Sequence, residues 1–146
     1  MIVALRVLQA VLGFAAIAIC LSIVLLGPSW TAGFSEAQFD WLTGSTHPST
    51  GPWPATMDSE LRFYAPFWGV YGLALLAVAR DLPAKLRFVP PLAALFFVGG
   101  AGRAISYVAV APPHPFFTLL MAIELILPVV FLALWHGARR GDTQIQ

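Results

Sequence analysis

Apolar residues dominate four long stretches of this chain, and polar residues gather in the segments between them. A hydrocarbon core about 30 Å thick needs about 20 consecutive apolar residues to cross it as a helix. Residues 3–26 meet that length, broken only by Arg6, Gln9 and Ser22, and "GP" at Gly27-Pro28 closes the run. Residues 62–79 form a second run, ending at Arg80-Asp81, and residues 88–110 and 116–135 form a third and a fourth. The first run is longer than the 7–15 apolar residues of a signal peptide, and no A-x-A cleavage pattern follows it, so it reads as a retained helix.

The long loop, residues 27–61, has its own pattern. Ser35 and Gln38 stand at capping-box spacing, and Phe34 and Phe39 at the two staple positions, which predicts a short helix from Glu36 to about Thr43. Its Phe39, Trp41 and Leu42, with Trp30 and Trp53 nearby, suit a membrane interface. The following "TGSTHPSTGPWPATM" is turn-rich. This loop reads as an anchoring flap or as a lid over a site. The expected fold is an all-α membrane protein, a single domain over 1–146: a four-transmembrane-helix bundle with a short interfacial helix in the first outer loop.

Composition supports that reading. The 146 residues are 59% hydrophobic and 10% charged, with a mean hydropathy of +0.81. Soluble domains carry about 25% charged residues. A net charge of +1 leaves no concentrated basic face for nucleic acid. The single cysteine, Cys20, lies in an apolar run and reads as packing. No Cys/His spacing resembles a metal site, and neither a phosphate loop nor a nucleophile elbow is present, so no metal or cofactor is expected.

Charge placement gives an orientation. Arg80, Lys85 and Arg87 lie between the second and third runs, Arg139 and Arg140 follow the fourth, and Arg6 is near the start. The long loop holds Glu36, Asp40, Asp58 and Glu60 but no Lys or Arg. The positive-inside rule then predicts both termini in the cytoplasm and the long loop outside, in a bacterial inner membrane.

Two ionisable residues fall at membrane depth. Arg103, in "GGAGRAISY", precedes the turn "APPHP" by about as many residues as Glu124 follows it. With a rise of about 1.5 Å per residue, both lie roughly 10–12 Å inside the core. Helices joined by a short turn are neighbours, and an unpaired charge there costs at least about 2.5–3.5 kcal/mol, so the two are expected to pair inside the bundle. Gly99, Arg103, Ser106 and Val110 share a helical face, flanked by Gly100 and Gly102, which predicts a close-packed seam. Pro128 lacks an N–H and leaves the carbonyl of Glu124 without its helical donor.

On the second span, Asp58 or Ser59 is a candidate cap. Glu60 and Arg62 enter from the outer side, either as interfacial charges or as an extension of the Arg103–Glu124 pair into a four-charge network. Tyr64, Ser106 and Tyr107 could add hydroxyls to a pocket, and His114 stands in the turn where a pocket mouth would open. His47 and His136 read as solvent or headgroup residues.

The segments "DSELRFYAPFWGVYGLALL", "GGAGRAISY" and "PPHPFFTLLMAIELILP" resemble a family of small bacterial four-helix membrane proteins catalogued as a domain of unknown function. The resemblance covers roughly residues 58–128. Glu60, Arg62, Tyr64, Arg103, Ser106, His114 and Glu124 match the family's polar positions, and the resemblance implies a membrane bundle without implying a reaction. The layout also resembles the DoxX-type four-helix membrane proteins.

Two functions from different classes fit. One is a module that binds a small hydrophobic or amphipathic molecule at the Arg/Glu cluster, with isomerase-type chemistry among the activities such a pocket could carry. The other is an accessory or scaffolding subunit of a larger membrane complex or homo-oligomer, with Ala10, Gly13, Ala16 and Ala18 as its contact stripe. A transporter ranks third. The bilayer is the partner common to all.

Overall fold

The computed structural model describes residues 1–142. Its helices are α1 (Ile2–Leu26), α2 (Pro28–Thr43), α3 (Ala55–Arg80), α4 (Leu82–Lys85), α5 (Val89–Ala109) and α6 (Pro115–Asp142), with a 3-10 turn over Leu86–Phe88. No strand occurs among the described residues. Four segments are long and apolar enough to cross a membrane: Ile2–Leu26, Ala55–Arg80, Leu82–Ala109 and Pro115–Arg140. The protein is an all-α, four-helix membrane bundle.

The helix in the long loop is longer than its sequence signals suggest. It begins at Pro28, immediately after α1, because Gly27 adopts a left-handed φ of 96° that reverses the chain and Pro28 supplies a ready-made first helical φ. Ser35 therefore lies mid-helix and donates back to the carbonyl of Thr31 at 2.9 Å, so the expected capping box and staple do not form. A hydroxyl pair between Ser22 and Thr31, 2.7 Å apart, ties α2 to the end of α1. Trp30 stacks on Phe34 and Trp41 is 81% exposed, so the outward face of α2 is aromatic.

α3 also starts early, at Ala55, which puts Asp58 inside its first turns instead of at a cap. Arg62, one turn on, donates from Nε to Asp58 at 2.8 Å and from Nη1 to the carbonyl of Val24 at 2.6 Å. That carbonyl is one of the C-terminal acceptors α1 cannot satisfy internally.

α1 packs along α3, and α5 along α6; α3 and α5 touch only sparingly. Small residues set the first contact. A Cβ at Gly72 would lie 2.6 Å from the carbonyl oxygen of Gly13 and 3.2 Å from Ala16, so the two backbones meet directly. Gly13 and Ala16 are thus consumed inside the bundle and do not form a lipid-facing stripe.

One buried cluster joins Leu5, Val78, Leu82, Leu86, Val89, Ala93, Phe131 and Ala138. It lies at the end that holds the α3–α5 linker, the start of α1 and the end of α6. A second cluster, Ala16, Tyr71, Leu75 and Phe96, sits at mid-height. Above it, toward the long loop, the two helix pairs diverge. Gln9 is fully buried at the linker half with neither end of its amide hydrogen-bonded.

Candidate functional site

The site is built on the α5–α6 contact. A Cβ at Gly100 would lie 2.8 Å from Glu124 Cβ and 3.0 Å from its backbone carbon, so the glycine admits the backbone of α6. Arg103, one turn further along the same face, donates from Nε to Glu124 Oε2 at 2.8 Å. The pairing expected from their matching depth is present. The carboxylate side chain is 6% exposed and the arginine 36% exposed. The close approach uses Gly100 and not the expected Gly99. A Cβ at Gly99 or Gly102 would meet nothing within 4 Å, so these two glycines line open space.

Two cavities follow one another along α5. The upper one, about 310 Å³, is lined by Arg103, Ser106, Tyr107, Pro113, Phe117 and Met121, and by Thr50, Trp53 and Met57 from the long loop and the start of α3. The lower one, about 390 Å³, lies where α3 and α5 diverge. Tyr64, Phe67, Trp68 and Tyr71 of α3 face Leu95, Phe96, Val98, Gly99 and Gly102 of α5 across it. Tyr71 closes its floor by donating to the carbonyl of Leu92 at 3.1 Å. Leu95, Gly99, Gly102 and Ser106 recur at helical spacing, giving a continuous stripe roughly 16 Å long past both cavities.

The long loop covers the upper cavity and is fastened at three places. Glu36, buried on α2, accepts from the backbone N–H of Thr50 at 3.2 Å and from the Thr50 hydroxyl. Ser29 Oγ accepts from the N–H of Trp53 at 3.1 Å. Asp40 accepts from the N–H of His47 at 2.8 Å through Oδ2 and pairs with its Nδ1 at 2.7 Å through Oδ1. The hydrogen bond from His47 holds the Asp40 carboxyl below the usual carboxylate range, with the nearby charge of His114 adding to the effect.

His114 departs from its expected place. It is turned away from the cavity, with a side chain 1% exposed, and its Nε2 lies 3.4 Å from Asp40 Oδ1. Asp40, His47 and His114 bring three ligand-type atoms within 4.8 Å of one another. However, His114 caps α6: its Nδ1 accepts the N–H of Phe116 at 3.2 Å. His114 Nε2 is buried facing Asp40 without a hydrogen bond of its own, and the trio brings α2 against the α5–α6 turn.

Of the remaining residues singled out in the sequence, Ser106 and Tyr107 join Arg103 at the upper cavity, and Tyr64 belongs to the lower one. Arg62 is committed to Asp58 and Val24, and Glu60 is exposed with no ion pair or hydrogen bond among the described residues, so the four-charge network does not assemble. Thr50 and the Asp40–His47 contact gave no warning in the sequence, and Trp53, expected at the membrane interface, lines the cavity, because the loop's return path fixes all of them.

The family model described as "Domain of unknown function (DUF4345)" matches residues 4–135. The chain belongs to the DUF4345 family. No curated protein and no solved structure matches it. The DUF4345 match spans all four membrane helices and both cavities, so the Arg103–Glu124 pair lies within the family's domain.

Proposed function

We propose that this DUF4345 protein holds a small amphipathic, lipid-like molecule, its polar head in the upper cavity at Arg103 and its apolar part along the glycine-lined stripe into the lower cavity. The observation that carries this reading is the division of labour at Arg103. Its Nε is committed to Glu124, while the side chain borders a cavity whose other walls are mostly apolar. Ligand sites have this makeup: apolar walls with a few placed polar groups. An ion pair needed only for helix register would not require a cavity beside it, a covering loop, or two glycines facing open space.

Six of the eight Lys and Arg residues (Arg6, Arg80, Lys85, Arg87, Arg139, Arg140) belong to the linker end, and the other two, Arg62 and Arg103, are each paired with an acid. This supports an inner-membrane orientation with cytoplasmic termini and an external loop. The alternative of an accessory subunit loses the stripe that favoured it, since Gly13 and Ala16 pack on Gly72.

The test is native mass spectrometry of protein extracted in mild detergent, comparing wild type with Gly99→Leu, which fills the stripe, and with Arg103→Met/Glu124→Leu. Wild type should retain a lipid-sized adduct that both variants lose. Retention of the same adduct by both folded variants, or no adduct on wild type, would overturn the reading.

A further inference from the structure

The charge balance at the upper cavity says what kind of head fits there. Arg103 is already neutralised: its Nε meets the carboxylate of Glu124 at 2.8 Å, and that carboxylate is nearly enclosed. A second anion at the free end of the guanidinium would bring two negative charges to one positive one in a site walled by Trp53, Met57, Phe117 and Met121. Like charges in poorly solvated surroundings repel strongly, and a net charge left over in an apolar site is costly. Arg103 therefore differs from an isolated arginine, which would favour an anion.

Hydrogen-bonding capacity points the same way. The Nη1 and Nη2 ends of Arg103 make no hydrogen bond among the described residues, and an arginine has donors only. Ser106 and Tyr107 add hydroxyls beside it. No carboxylate lines the cavity, so the hydroxyls can adapt as donor or acceptor while the free guanidinium ends of Arg103 offer donors alone. The partner that satisfies such a wall without adding charge is an oxygen with two lone pairs on an uncharged group.

We propose that the head accepted beside Arg103 is a neutral carbonyl, as in a long-chain ketone, ester or amide, and that a carboxylate head is disfavoured. This inference rests on the amphiphile reading above. Glu124 is then a specificity residue: it sets the charge of the site to zero while Arg103 supplies the donors.

The experiment compares two probes of similar chain length, methyl undecyl ketone and laurate, at mildly alkaline pH where laurate is ionised. Binding to detergent-solubilised protein is followed by native mass spectrometry and by Trp53-sensitive fluorescence. Wild type should bind the ketone more tightly than laurate by on the order of 10–100-fold, the size of one unscreened like-charge repulsion at a partly solvated site. Glu124→Gln keeps an oxygen for Arg103 Nε but leaves the site positive, and should tighten laurate by a similar factor, with little change for the ketone. If laurate matches or exceeds the ketone on wild type, the neutral-head inference is overturned while the amphiphile reading stands. If neither probe binds wild type, the amphiphile reading itself fails. The wild-type comparison decides the matter even if Glu124→Gln does not fold.

Discussion

Gly100 lies flat against Glu124: a methyl group placed there would sit 2.8 Å from the Glu124 Cβ. The missing side chain sets how near α6 comes to α5, and so whether Arg103, one turn along, reaches the carboxylate. Gly100→Ala should therefore cost roughly 1–3 kcal/mol through overpacking and weaken the Arg103–Glu124 pair. Gly99→Ala, facing open space, should fold as well as wild type. Thermal unfolding in detergent compares the two.

The pair itself is testable by a double-mutant cycle. Removing one partner leaves the other charge uncompensated, so Arg103→Ala or Glu124→Ala should each cost roughly 2–4 kcal/mol, below the fully buried range because Arg103 is about one-third exposed. Arg103→Met with Glu124→Leu should recover most of that loss. Single variants as stable as wild type would mean that the contact contributes little.

Much of this arrangement is legible in the sequence, and the limits have physical causes. Span length and the positions of Arg103 and Glu124 around a short turn suffice to place the pair, because helix rise and hairpin geometry leave little freedom. Choosing Gly100 over Gly99 as the contact requires the rotation of α5 about its axis, which neighbouring packing decides. Ser35 and Phe34–Phe39 mimic a helix start, but Pro28 after Gly27 begins the helix earlier. His47 and His114 meet Asp40 across 7 and 74 residues of chain, a convergence that no local pattern encodes.

The loop fastening should respond to acid. Asp40 is held below its ordinary value by His47, so its ionised form is favoured in the folded protein. That contribution is fully present above the ordinary carboxylate range and is lost as pH falls through the lowered value. The Asp40 part of the fastening should be lost only as pH falls below the ordinary carboxylate range, read as a shift in Trp53 fluorescence there. Asp40→Asn should release the loop at neutral pH, with faster hydrogen exchange over residues 45–53.

Gln9 offers a stabilising substitution. Both ends of its amide are buried without partners, a state that costs about 1–3 kcal/mol. Gln9→Met, similar in volume, should raise the unfolding temperature. A lower one would show that the amide has a partner, such as a bound water.

Topology can be read with reporters. A reporter fused after Gln146, beyond the described residues, should lie in the cytoplasm, and one inserted near Ser49 should lie outside. An external C-terminus would overturn the proposed orientation.

The sparing contact between α3 and α5 has a consequence for traffic. The two helical hairpins are clamped at the linker end by Leu82, Leu86 and Val89, and gape sideways toward the acyl chains above Tyr71. Under the proposed amphiphile reading, a tail would enter laterally from the surrounding leaflet without crossing water, while the fastened loop would govern only the head. On that reading, exchange of an occupant would pass two separate doors. The slit between hairpins, walled by Gly99 and Gly102, would admit by girth, and the loop residues Thr50 and Trp53, which line the cavity beside Arg103, would admit by polarity from the aqueous side.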